Sequence, residues 1–342
     1  MQTIKIGIIG LGKAWDYLHG PSFAQLEDKF TIKALCNPDR RKAELVAEAV
    51  KLPQEAVYED YNKMLKEADI EAVATMVPIS ENYECALAAI NHGKHLFAEK
   101  PLAATQKSAK ELIKLRKSKG ITMLVAENSR YEEENLLIKR LLEERRIGNP
   151  VYFIDNHVIE FQKDMVNDQA FAASPWRREA DFRGGVFLDS GVHHAARHRF
   201  LFGGVRTLYA LGRPSDAEFA PYSCVNALLT FDNYIAGHYT FFVIGKETQA
   251  PAVGLRIFGT EGEIYLENKN CGILNVSHKD GSHEAIPFKP ESGYAHELNN
   301  FYEALCCGKE VTSTPEKALG DMEVIFSILE SIEGDKRLKL AT

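Results

Sequence analysis

Apolar runs and helix-forming stretches alternate along the first third of the chain. Ile4–Ile9 is a short apolar run that stops at Gly10-Leu11-Gly12, and residues 31–36 form a second, ended by Asn37-Pro38-Asp39. Helix-favouring residues follow from Arg40 to Val50. Residues 72–77 are apolar and closed by Pro78, and residues 83–91 have amphipathic helical spacing up to His92-Gly93. Residues 95–98 predict a short strand, 105–118 a helix with Thr105 as its N-cap, and 122–126 another strand. Short apolar runs separated by helical periods read as strands joined by crossover helices. Their repetition predicts a parallel sheet covered on both faces. Crossovers of this kind are right-handed, so a doubly wound sheet is expected, with ligands beyond the carboxyl ends of its strands. The turns at 10–16, 37–41, 77–82 and 99–101 all belong to that edge.

Beyond residue 128 the pattern changes. Residues 151–161, 205–212, 223–232, 235–244, 253–258 and 263–267 read as strands with few helices between them, which predicts a large mixed, mostly antiparallel open sheet. Residues 131–146 and 187–201 are the helical patterns of this half, and 297–307 and 315–332 are helical again. The expected domains are therefore 1–128, an α/β domain, and 129–342, an α+β domain.

Composition adds mainly exclusions. A chain of 342 residues with 45% hydrophobic and 26% charged content is long enough for two well-filled cores. The net charge of −7, from 41 basic and 48 acidic residues, speaks against a general nucleic-acid binder. Short basic groups such as Arg145-Arg146 have glutamates beside them and read as solvated helix faces. Six cysteines at positions 36, 85, 224, 271, 306 and 307 make no disulfide framework and no zinc pattern. Cys36 and Cys85 sit in apolar runs and read as buried thiols, which suits a reducing cytosol. No leader is expected, and no apolar run reaches the roughly 18–20 residues of a membrane span.

The glycine turn is the first chemical signal. Gly10 permits a tight turn after the first strand, and Gly12 lets backbone approach a diphosphate at the N-terminus of the next helix. Trp15 stands where a third glycine is expected. At the end of the second strand, Asn37 occupies the place of a ribose-binding acid. An amide there hydrogen-bonds a ribose hydroxyl without repelling a 2′-phosphate. Arg40 or Arg41 would pair with that phosphate, which favours NADP slightly over NAD.

Two further runs are sharper. Gly93-Lys94-His95-Leu96-Phe97-Ala98-Glu99-Lys100-Pro101-Leu102 and Gly184-Gly185-Val186-Phe187-Leu188-Asp189-Ser190-Gly191-Val192-His193 are similar to the signature elements of the glucose–fructose oxidoreductase/inositol dehydrogenase/MocA family. With the glycine turn, the resemblance covers essentially the whole chain. It implies a dinucleotide-binding Rossmann domain followed by a substrate-binding and oligomerisation domain. It also implies NAD(P) as cofactor, a small sugar- or polyol-like substrate, and a homodimer or homotetramer through the second sheet. The 10–19 loop is one residue longer than in many members, and the 126–131 run, Trp176-Arg177 and Gly191-Val192-His193-His194 resemble a subgroup with NADP-linked members. Pro38 departs from the arginine usual there, Asn82 stands where many members have histidine, and Ala196 where many have a second acid.

The cofactor contacts expected on this basis are Gly10, Gly12, Lys13, Ala14, Trp15, Asn37, Arg40, Arg41, Val77, Pro78, Asn82, Glu99, Lys100, Asn128, Trp176 and Arg177. The resemblance places Lys100, Asp189 and His193 around the reacting carbon. An imidazole titrates near neutrality and suits proton transfer, and an ammonium beside a developing alkoxide stabilises it. His193 is expected as proton carrier, Lys100 as electrostatic stabiliser able to share that role, and Asp189 as hydroxyl ligand. A helix over 186–201 would put Asp189 and His193 four residues apart on one face. Arg177, His194 and Tyr294 are expected at the substrate, with His296 a weaker candidate. His194 and His198 share the same spacing, but no third ligand accompanies them and no metal is expected. The rival functions are a cofactor-binding regulator of the same framework, which needs no catalytic set, and an NAD-dependent glycoside hydrolase, which regenerates its cofactor at each turnover.

Overall fold

A computed structural model describes residues 3–161, 170–243 and 253–340. The chain divides into two compact units: Met1–Asn128 with Gly293–Gly320, and Ser129–Ser292 with Asp321–Thr342.

In the first unit, β1 (Ile4–Ile9), β2 (Phe30–Cys36), β3 (Val57–Tyr58), β4 (Ala72–Thr75), β5 (His95–Glu99) and β6 (Met123–Ala126) form one sheet in the order β3-β2-β1-β4-β5-β6. Every pairing in it is parallel. The central strands carry apolar side chains on both faces because helices cover both, which is why they read as unbroken runs. The register aligns Ile9 with Cys36 and Thr75, Thr75 with Ala98, and Glu99 with Ala126, so the strands end together. Thr105 caps the Gln106–Ser118 helix by accepting the Ser108 N–H, as its spacing predicts. The two-residue β3 is too short to show a period.

The Tyr294–Cys307 helix belongs to this unit, whereas the sequence expectation kept everything after 128 together. The physical reason is the helix's apolar face. Leu298, Phe301 and Tyr302 join the same core as Ile6, Phe23, Phe30 and Phe97. Phe301 meets the Phe97 ring at 5.8 Å and Tyr302 meets Phe30 at 5.8 Å, both edge to face. Helical periodicity shows that a face is buried but not against which sheet.

The second unit is built on β7 (Pro150–Val158), β8 (Val205–Pro214), β9 (Tyr222–Phe231), β10 (Ala236–Phe242), β11 (Gly254–Gly259), β12 (Gly262–Leu266), β13 (Ile273–His278), β14 (His283–Pro287) and β15 (Leu338–Lys339). They lie in the order β14-β13-β12-β11-β7-β10-β9-β8-β15. β7 and β10 run parallel, and the other neighbours are antiparallel. This is the mixed sheet predicted; residue 244, the expected end of one strand, lies outside the described residues. One face, carrying Phe153, Tyr239 and Phe241, is buried, while Tyr152, Ile154, Leu211, Leu228 and Ile273 are exposed on the sheet.

The single helix expected over 186–201 is two helices, Val186–Asp189 and Gly191–Phe202, interrupted at Ser190. The two helices meet closely: a Cβ on Gly191 would lie 3.0 Å from the Phe187 ring, so that position takes glycine. His193 N–H bonds the carbonyl of Ser190 at 3.2 Å, a three-residue turn rather than a four-residue one. The argument that Asp189 and His193 share a face of one regular helix therefore does not carry over. No helix among the described residues is long and apolar enough to cross a membrane.

Near the start of the Glu133–Glu143 helix, Glu134 is buried beside Glu132, and burial and that neighbour raise its carboxyl to about 7 from an ordinary 4.5.

Two predictions follow from these cores. Phe301→Ala should cost about 3–5 kcal/mol in denaturant unfolding and speed hydrogen exchange in β1 and β5; faster exchange confined to β9 and β10 would contradict the assignment of this helix. Glu134 titrates higher folded than unfolded, so its contribution to stability is complete below pH 4.5 and is lost as the pH rises to about 7. E134Q should therefore gain on the wild type between pH 4.5 and 8, by up to about 3 kcal/mol; a difference independent of pH would disprove this.

Candidate functional site

The turn after β1 is shaped by a close approach. Gly10 has φ +88°, and a Cβ there would stand 2.3 Å from the Met76 carbonyl oxygen, so only glycine fits. Its N–H bonds the Cys36 carbonyl at 2.9 Å, and the Leu11 N–H is accepted by Asn37 Oδ1 at 3.1 Å. Gly12 is exposed, and a Cβ added to it would meet nothing within 4 Å. Lys13 and Ala14, both half-buried, open a helix that continues as a π-helical turn, Trp15–His19, and then Gly20–Gln25. A π turn takes one residue more than an α turn.

Trp15 does not stand over the turn. Its indole is 6% exposed, lies 6.0 Å from the Phe23 ring, and packs against Gly20. The missing third glycine thus leaves the space above Gly12 open. A glycine turn opening a helix, with room in front of Gly12, fits a diphosphate.

At the adenosine end the side chains are more engaged than expected. Asn37 gives its oxygen to Leu11 and donates its amide to the Asp39 carbonyl at 3.2 Å, so it braces the turn first. Arg40 pairs with Glu44 at 2.8 Å and reaches Glu59 at 3.7 Å, and Arg41 is exposed. Asp39 caps the Arg40–Ala49 helix, and Lys42 pairs with Asp16 at 2.9 Å.

The end of β5 holds a cluster that the sequence did not reveal. His19, fully buried at the end of the π turn, bonds Glu99 Oε1 through Nε2 at 2.5 Å. Glu99 Oε2 accepts the Lys100 backbone N–H at 3.0 Å. Asn82, expected at the cofactor, is buried and donates to the carbonyls of Pro101, at 2.7 Å, and Glu99, at 3.4 Å. It holds the Glu99-Lys100-Pro101 turn from below. Val77 and Pro78 are half-buried after β4, Asn128 is buried after β6, and the Tyr294 ring meets His19 edge-on at 5.4 Å.

In the second unit, Arg177 reaches both carboxylate oxygens of Asp189, Nε to Oδ2 at 2.6 Å and Nη2 to Oδ1 at 3.4 Å, and stacks over Trp176 at 4.0 Å. Trp176-Arg177, expected as a pair apart from Asp189, form one assembly with it. His193 is half-buried near the start of the Gly191–Phe202 helix. His194 beside it is engaged by two partners: Nδ1 lies 2.7 Å from the Tyr239 hydroxyl, and its ring stacks on His157 at 3.6 Å.

Beneath it lies a buried polar group with no local sequence signal. Asp155 accepts from Arg197 and from His198, each at 2.5 Å. Arg197, which can only donate, also gives a hydrogen bond to His157 Nε2 at 2.7 Å. Burial would raise the Asp155 carboxyl, but the Arg197 guanidinium, then the His157 ring and last the His198 ring hold it well below its ordinary value. Burial, then His157 and Arg197, push His194 well below its usual range, so it is neutral, and burial raises Tyr239 well above its own. His194 and His198, the pair with metal-like spacing, are thus bonded to Tyr239 and Asp155; no metal-holding group of three or more ligands occurs among the described residues.

Comparison with known proteins agrees with both units. Residues 4–127 match an oxidoreductase family's NAD-binding Rossmann fold, and residues 139–340 match its C-terminal alpha/beta domain. The chain is 27% identical to the Saccharomyces cerevisiae protein YMR315W, covering 97% of this chain and 96% of that one. It is 25% identical to the scyllo-inositol 2-dehydrogenase (NAD(+)) of Bacillus subtilis, covering 99% and 97%. A solved oxidoreductase from Thermotoga maritima superimposes with a TM-score of 0.85 at 26% identity over 99% of this chain and 98% of that one. Since the two matched segments take in both units and the glycine turn has room for the diphosphate, the chain belongs to the Gfo/Idh/MocA oxidoreductase family and is an NAD(P)-binding oxidoreductase.

Proposed function

We propose that the protein transfers a hydride between NAD(P) and a CH–OH carbon of a sugar, a cyclitol or a related polyhydroxy or keto compound. The observation that carries this reading is the open glycine turn after β1 and Lys100 after β5, on the same edge of one parallel sheet. The similarity to scyllo-inositol 2-dehydrogenase supports the substrate class. The dinucleotide, when bound, supplies the hydride acceptor or donor.

The chain's own residues do the rest. In the oxidative direction His193 takes the hydroxyl proton as the carbon loses its hydride, leaving a carbonyl. The Lys100 ammonium stabilises charge building on that oxygen. Asp189 orients a substrate hydroxyl, and its two-point pairing with Arg177 keeps the carboxylate aimed. Arg177, His194 and Tyr294 are the further substrate contacts in this reading, and Trp176 borders the site through its stacking on Arg177. Gly10, Gly12, Lys13, Ala14, Val77, Pro78, Asn82, Glu99 and Asn128 are assigned to the cofactor side. With Arg40 paired to Glu44 and Glu59, Arg41 is the side chain assigned to a 2′-phosphate, which keeps the slight preference for NADP. The exposed apolar side chains of the second sheet are assigned to a homodimer or homotetramer contact.

The direct test is a cofactor-reduction screen over sugars, cyclitols and polyols, with NAD and NADP in parallel. Reduced cofactor should accumulate with at least one; hydrolysis without net reduction, or cofactor binding with no turnover at all, would contradict the reading. His193→Ala should slow turnover by roughly 10²–10⁴-fold with dinucleotide affinity nearly unchanged, and an equal loss of dinucleotide binding would show the residue to be misassigned. Light scattering should find a dimer or tetramer at micromolar concentration, and a monomer would dispose of the sheet contact.

A further inference from the structure

His19, buried against Glu99 at the end of β5, has none of the assigned roles. His19 is 0% exposed, enclosed by the Phe97 and Tyr294 rings, each at 5.4 Å and edge-on. Its Nε2 faces the Glu99 carboxylate at 2.5 Å, and its Nδ1 is buried without a partner. A carboxylate accepts, so the proton sits on Nε2. The bare Nδ1 is then an unpaired acceptor, cheaper to bury than an unpaired N–H. The ring is thus oriented in one sense, with its donor on Glu99.

Glu99 is held at both oxygens: Oε1 by His19 and Oε2 by the backbone N–H of Lys100. The carboxylate therefore links the π turn, which follows the glycine turn, to the backbone of the residue assigned to the reacting oxygen. Asn82 supports the same turn from Glu99 to Pro101 by its side-chain amide. Reacting groups lose rate steeply when displaced by an ångström, and the partners that orient such groups commonly contribute 10–100-fold.

We infer that His19 is a positioning residue for Lys100, acting through the Glu99 carboxylate. This rests on the catalytic reading of Lys100 above. The π turn ends at His19 and so sets that ring against Glu99. The titratable groups facing His19 are Glu99 from β5 and Tyr294 from the Tyr294–Cys307 helix.

The test uses the full-length protein with H19N, whose amide is too short to reach Glu99, and H19Q, whose amide nitrogen spans the same distance as Nε2. The first readout needs no substrate. Lysines are reductively methylated with ¹³C, the Lys100 signal is assigned with K100R, and its position is followed by NMR at one pH. H19N should displace the Lys100 signal from its wild-type position, and H19Q should return it towards that position. With the substrate found in the screen, H19N should lower kcat by about 10–100-fold and shift the kcat–pH profile, with the dinucleotide KM within about twofold. H19Q should recover most of that loss. An unmoved Lys100 signal in H19N, or an H19Q no better than H19N, overturns the inference. If H19N does not fold, H19L replaces it under the same criteria. K100A separates the two levels: full turnover in K100A removes the catalytic reading itself, whereas lost turnover in K100A with an unmoved Lys100 signal in H19N removes only the role of His19.

Discussion

At the end of β1 the backbone passes so near the carbonyl of Met76 that position 10 has room for hydrogen alone and takes φ +88°. β1 is the strand at which the order of the parallel sheet reverses, with β2 on one side and β4 on the other. Ligands of such sheets bind at that reversal. The approach brings the chain down between its neighbours, where Cys36 and Asn37 accept its next two N–H groups. A side chain at position 10 would push these apart, and with them the helix start beside Gly12. What is carried on that edge, from Gly12 through the π turn to His19 and across to Glu99, takes its place from this one contact.

The two units each bury polar groups, in different ways. In the first, His19 and Glu99 share a proton-donating contact inside an aromatic enclosure. In the second, Asp155 is ionised at zero exposure because Arg197 and His198 converge on it. Burial of a charge is costly, and a buried pair seldom adds net stability over well-packed apolar groups. What such pairs do supply is direction: each accepts only one arrangement of donors. The Arg197 and His198 bonds tie the Gly191–Phe202 helix, which also carries His193, to β7. His194, neutral and stacked on His157, is part of the same arrangement.

Strands covered on both faces announce themselves as apolar runs, so β1, β2, β4, β5 and β6 were legible within one or two residues. So were the N-cap at Thr105, the strands of the second sheet up to β12, and the glycine turn. Less legible were short or solvated elements: β3 has two residues, and β13 and β14 follow polar turns. Ser190 interrupts a stretch whose periodicity reads as one helix, because spacing records which positions are apolar and not where the backbone turns.

Of the site, the sequence alone determined the parts that are contiguous: the turn at Gly10–Gly12, the Glu99-Lys100-Pro101 element, and the run ending in Asp189 and His193. These are written in neighbouring residues, and the backbone chemistry of glycine and proline acts locally. Tertiary structure alone decided that Trp15 is buried in the core, that Asn37 braces the turn, that Arg177 holds Asp189, that His19 holds Glu99, and that the Tyr294–Cys307 helix packs on the first sheet. Periodicity tells which face of an element is buried and what type of side chain lies there. It carries no information about the partner, because hydrogen bonds and core contacts between residues far apart in the chain depend on where the whole backbone has gone.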